Sequence, residues 1–186
     1  MTYYGAVELA RSFRTVRKNT LLIAEEIPED KYGFRPTAES RSVAEILSHI
    51  TVATRGYWET HAVQKVRTFV GVDFAARARE RQELEKQLER KAQILDALGR
   101  DGEAWASYLD RVSEQELADA ITFPAPIDPP SKSRFELILS VTELEMHHRA
   151  QLMVIERLLG IVPHLTRERQ ARMAQAEQGG RAGLRP

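Results

Sequence analysis

The sequence has no cysteine among its 186 residues. That excludes disulfides, thiolate metal ligands, iron–sulfur clusters and a cysteine nucleophile together. Neither sign of charge is in excess: Lys and Arg number 27, and so do Asp and Glu. A zero balance leaves no surplus cation for a phosphate backbone, so nucleic acid is not expected as a partner. No apolar run approaches the length of a membrane span. The opening Met1-Thr2-Tyr3-Tyr4 lacks the basic start and apolar core of a secretory signal. The expectation is a cytoplasmic protein with no membrane partner. Glycine (10) and proline (8) are sparse and clustered, and no stretch alternates apolar and polar residues long enough to suggest a strand. With 42% hydrophobic and 29% charged residues, the chain has the composition of one globular domain able to bury a core.

What fills the space between the breakers is helical periodicity. Leu9, Phe13, Val16, Thr20, Ile23 and Ile27 predict a first helix over about 4–27, stopped by Pro28. Ser42 and Glu45 form a capping box that opens a second helix, about 43–66, with a stripe of Val43, Ile46, Ile50, Ala53 and Tyr57. A third, long helix is expected from about Arg77 or Arg81 to Val112, with Leu88, Ala92, Leu95, Gly99, Gly102, Ala106 and Leu109 in phase. The phase survives across Gly99 and Gly102, which favours a continuous helix approached closely there over a break. The charged run Arg77 to Arg90 is expected to face solvent. Ser113 with Glu116 and Ser133 with Glu136 are further capping boxes. The second of these opens a fourth long helix, about 134–159, closed by Gly160. Residues 1–165 are expected to form the bundle. Residues 166–186 form a polar extension, helical to about Gln178 and disordered beyond. Four amphipathic helices without strands point to an all-α four-helix bundle.

The chemistry-bearing candidates are histidines. His148 lies in phase with Leu137, Val141, Leu144, Leu152, Ile155 and Leu159, and His49 lies in phase on its own helix. A buried imidazole nitrogen needs a partner, which can be a metal ion, a water or a carboxylate. Facing helices are where bundles build metal sites. His61 continues the stripe of His49 but stands twelve residues on, roughly 18 Å away, so the two cannot share an ion; a bundle-end position is expected for it. His147 is expected to point to a neighbouring helix or a dimer partner, and His164 to lie on the surface. Glu145 is placed either in a surface pair with Arg149, four residues on, or as a co-ligand with His148. No nucleophile elbow, phosphate loop, dinucleotide fingerprint or His-Glu-x-x-His motif is present.

Two segments carry a resemblance. Phe34-Arg35-Pro36 followed by Ser42-Val43-Ala44-Glu45-Ile46-Leu47-Ser48-His49-Ile50, and Glu143-Leu144-Glu145-Met146-His147-His148-Arg149-Ala150-Gln151-Leu152 followed by Gly160 and Pro163, resemble the second and last bundle helices of the DinB/YfiT-like superfamily. The resemblance implies a four-helix bundle with a long crossover, often a homodimer. It also implies a divalent metal, commonly zinc or nickel, on three histidines. His49 and His148 match two of them; the third falls on Leu144, which cannot ligate. The implied metal site is therefore weakened. Some relatives use a low-molecular-weight thiol such as bacillithiol or mycothiol. In a chain without cysteine that thiol must be exogenous. The alternative is a non-catalytic bundle of this type that has lost the metal, either binding a small ligand or acting as a stress-related dimer.

Overall fold

The computed structural model describes residues 4–182. Helices α1 (Ala6–Glu26), α2 (Val43–Trp58), α3 (Phe74–Lys86), α4 (Lys91–Leu109), α5 (Glu114–Leu117), α6 (Arg134–Leu158) and α7 (His164–Ala182) account for most of it. The fold is all-α apart from a hairpin of β1 (Ala120–Thr122) and β2 (Ser131–Ser133), antiparallel with Ala120 opposite Ser133. Three-residue strands are too short to leave an alternation pattern, which is why the sequence suggests none. Among the described residues no helix is long and apolar enough to cross a membrane.

The core lies between α1, α2, α4 and α6: α4 and α6 each pack against both α1 and α2. All six expected stripe residues of α1 are buried. The capping boxes at Ser42, Ser113 and Ser133 each form, with the serine oxygen accepting from the backbone N–H three residues on and the glutamate reaching back. The core falls into two clusters. One gathers Ile23, Ile27, Val43, Leu47, Ile50, Leu98 and Leu152; the other gathers Leu9, Phe13, Trp105, Leu109, Ile138 and Val141. These groupings set the directions: α1 and α6 run one way, α2 and α4 the other. The chain must therefore travel the length of the core between the end of α2 and the start of α4, and α3 is that return.

Between the clusters lies a polar layer that periodicity hides. Arg17 and Glu145 are both buried. The guanidinium donates through Nε and Nη2 to the two Glu145 oxygens at 2.9 and 2.8 Å, through Nη1 to the Leu98 carbonyl at 2.6 Å, and through Nη2 to Thr54 Oγ1 at 2.8 Å. Glu145 is thus neither a surface partner of Arg149 nor a co-ligand of His148. The inward stripe of α6 runs through Ile138, Val141, Glu145, Leu152 and Ile155, while Leu137, Leu144 and Leu159 are only half-buried.

The expected third helix is two helices. It breaks at 87–90, where Arg90 takes an extended conformation and its N–H is capped by Gln93. The Leu88 side chain turns in against the core, and its carbonyl accepts from Ser48 Oγ at 2.9 Å. Downstream, α4 is continuous through Gly99 and Gly102, but its first turns are rotated from the expected stripe: Ile94, Ala97 and Leu98 are buried, while Ala92 is exposed. What comes close at Gly102 is a side chain rather than a helix, since a Cβ there would stand 2.7 Å from Arg17 Nη1.

α7 follows the left-handed turn at Gly160 (φ 79°) and contacts α1. His164 at its start is buried rather than on the surface, with Nε2 3.3 Å from Asn19 Oδ1. The end expected to be disordered beyond Gln178 is instead helical as far as Ala182, and 183–186 lie outside the described residues.

Candidate functional site

His49 sits on the second turn of α2, and the chain topology brings His148 of α6 beside it. The rings meet edge to face, with centroids 4.9 Å apart and planes at 80°. The pair occupies the seam between α2 and α6 rather than the core centre, and both residues are partly exposed. This follows from the α6 stripe: with Glu145 pointing inward, position 148 falls on the flank.

Each ring has its Nδ1 engaged. His49 Nδ1 donates to Glu85 Oε1 of α3 at 2.7 Å; an ionised carboxylate can only accept, so Nδ1 carries the proton. His148 Nδ1 lies 2.9 Å from Gln151 Oε1, and the Gln151 amide donates to His147 Nε2 at 3.1 Å. Gln151 thereby fixes His148 as the Nδ1–H tautomer. In neither ring does Nε2 have a hydrogen-bond partner among the described residues. A histidine whose Nδ1–H is held by a carboxylate or amide oxygen is the arrangement that orients an imidazole for a metal. Burial lowers the His148 pKa; His49, His147 and Arg41 lower it further, against the opposing effect of the hydrogen bond that His148 donates to Gln151. The neutral, lone-pair-bearing form is thus favoured.

The donor set ends at two. Leu144, one turn before His148, offers hydrocarbon. His147 is exposed, its ring 5.0 Å from that of His148, and its Nε2 is spent on Gln151. Among the described residues no three His, Asp or Glu side chains are grouped so as to hold an ion. His61 stands apart from the pair. It is buried just beyond the far end of α2, and its Nδ1 accepts from Arg134 Nη1 at 3.0 Å. Burial and the Arg134 charge push its pKa down to about 4.

A family model of the DinB superfamily matches residues 12–152, which include both histidines, α3 and the Arg17–Glu145 layer. The chain belongs to the DinB superfamily. No curated protein matches it closely enough to count as a relative.

The charged run Arg77 to Arg90 is largely exposed, as expected, but Glu85 within it is not: α3 packs along α2, and Glu85 bonds both His49 and, at 3.4 Å, Arg41. No sequence signal links positions 49 and 85. Gln151 was within reach, because a residue three places after a helical histidine is its neighbour. Beside the pair, α2 and α3 enclose a cleft of about 430 Å³. Val52 and Leu84 line its near end, one turn from His49 and next to Glu85 respectively.

Proposed function

We propose that this DinB-superfamily chain is a four-helix bundle of the DinB/YfiT type with a long crossover, and that His49 and His148 bind a divalent zinc or nickel ion in a reduced form of the family's metal site. The observation that carries this reading is the meeting of two imidazoles from separate helices, each with Nδ1 occupied and Nε2 free. Glu85 orients His49 and Gln151 orients His148. A metal held there would supply Lewis acidity, lowering the pKa of a bound water or of an exogenous low-molecular-weight thiol. The reaction class that fits is a thiol-dependent transfer, with the thiol supplied from outside because the chain has none of its own.

Metal analysis of tag-free protein loaded with zinc or nickel tests this. About one ion per chain is expected, lost in both His49→Ala and His148→Ala. Fewer than about 0.1 ion per chain after loading would overturn it.

Leu144 favours a second reading, a non-catalytic bundle that keeps the fold and a small-molecule cleft without the metal. The homodimer belongs to both readings. Met146, Val154 and Leu158 lie on the outer side of α6 at helical spacing and are exposed, an apolar stripe of the kind that two-fold contacts cover. Light scattering on the wild type and on Val154→Glu/Leu158→Glu checks it, with monomerisation of the variant expected.

A further inference from the structure

The cleft between α2 and α3 has features that the packing of this chain does not account for. α3 buries no residue. Instead of resting on the core it roofs an open volume of about 430 Å³, within the range of small-molecule sites. On the floor stands Gly56, in the last turn of α2. Glycine is disfavoured in a helix, and a Cβ at this position would meet nothing within 4 Å. No neighbour demands the glycine; its effect is to keep the floor open. Immediately beyond, at Glu59–Val63, α2 loosens into a π-helical turn, a rare geometry concentrated at functional sites. Glu59, Thr60 and His61 of that turn line the cleft.

The walls are aromatic and positively charged. Phe69 stacks on Phe123 with centroids 5.3 Å apart and planes at 15°, and the Arg77 guanidinium lies 5.8 Å from the Phe69 centroid. Phe69 is fixed there by its backbone N–H, which donates to the Thr122 carbonyl at 2.8 Å. Of the charged residues lining the cleft, Arg55 and Glu59 pair with each other at 3.2 Å. Arg77 and Arg81, one turn apart on the inner side of α3, have no ion-pair partner among the described residues and outweigh Glu80 beside them.

We propose that this cleft is a binding site for a small organic oxyanion with a flat apolar body, its charge held by Arg77 and Arg81 and its body lying over Gly56 against Phe69. Guanidinium groups supply charge-assisted hydrogen bonds to carboxylate or phosphate oxygens. An aromatic wall supplies a stacking surface. Along α3, Arg81 and Arg77 stand one and two turns from Glu85, roughly 6 and 12 Å. A ligand anchored on them extends toward the histidine pair. This names a substrate class for the function proposed above, but binding in the cleft does not need the metal.

The test is calorimetric titration of metal-free wild-type protein with 2-naphthoate and with its neutral counterpart 2-naphthamide. The acid is expected to bind about tenfold or more tightly than the amide. Arg77→Gln/Arg81→Gln is expected to remove that preference, and Gly56→Phe to abolish binding of both, with melting temperatures at or above wild type. Equal affinity for acid and amide, an unchanged preference in the arginine variant, or binding that survives Gly56→Phe would each overturn the proposal. So would the absence of binding at about millimolar ligand. Because the protein is metal-free throughout, these outcomes are independent of whether His49 and His148 hold an ion.

Discussion

Arg17 and Glu145, 128 residues apart in sequence, meet as a bidentate pair in the middle of the core, at 2.9 and 2.8 Å. Neither side chain reaches water appreciably. Removing one partner leaves the other charged and desolvated, which costs about 3–5 kcal/mol. Urea unfolding of Glu145→Ala is expected to show a loss of that size. The double variant Arg17→Met/Glu145→Leu is expected to lose much less than the sum of the single changes, since no charge is then stranded. A simple sum would mean that the two groups do not act as a pair.

The two glycines of α4 should respond oppositely to alanine. At Gly99 an added methyl meets nothing within 4 Å, so the gain is that of helix propensity, about 0.5–1 kcal/mol. At Gly102 the same methyl would sit 2.7 Å from Arg17 Nη1 and push the guanidinium off Leu98 and Glu145. Gly102→Ala is expected to destabilise, and thermal melts of the two variants side by side check the contrast.

The contrast also marks where the sequence was informative. The apolar phase of α1 and the serine–glutamate caps are local features, and each appears where the spacing puts it. The meeting of His49 and His148 was legible, but not as two core positions: α6 turns Glu145 inward and leaves His148 on its flank, so the pair sits at a partly exposed seam. Glu145 was misplaced because a buried charge looks polar in any periodicity, and its partner is a residue of α1. The break before α4 was missed because its cause is tertiary: Leu88 turning inward and Ser48 accepting the task of capping its carbonyl. Glu85, the second contact of His49, owes its position to the return path of the chain.

Restoring an imidazole at position 144 tests the assignment of the metal site. Leu144 and His148 are one turn apart on the same face of α6, so Leu144→His adds a third donor beside the existing pair. Zinc affinity, measured by competition with a chromophoric chelator, is expected to rise about tenfold or more. Unchanged affinity would show that position 144 does not face the pair.

Glu156 gives a pH signature. Its carboxyl is buried, and neither oxygen has a hydrogen-bond partner. Arg167, which could neutralise it, is engaged by Glu26. Burial, with the nearby Glu26 charge, raises its pKa from 4.5 to about 7. The folded chain therefore holds this proton more tightly than the unfolded chain does. Stability should fall as pH rises from about 4.5 to 7 and level off above. Glu156→Gln is expected to match wild type near pH 4 and to exceed it at pH 8 by about 3 kcal/mol. His61, whose depressed pKa works in the opposite direction, is common to both proteins and cancels in the difference. Parallel stability curves for the two proteins would contradict this.

The mooring of α3 has a mechanical consequence. The helix contributes nothing to the interior, and near its end it is tied down by Glu85, which grips the imidazole of His49 and the guanidinium of Arg41. Cutting that tether at His49 frees the lid as well as deleting a donor atom. Amide exchange along 74–86 would then quicken in His49→Ala while staying slow in His148→Ala, separating the loss of a ligand from the loosening of the door.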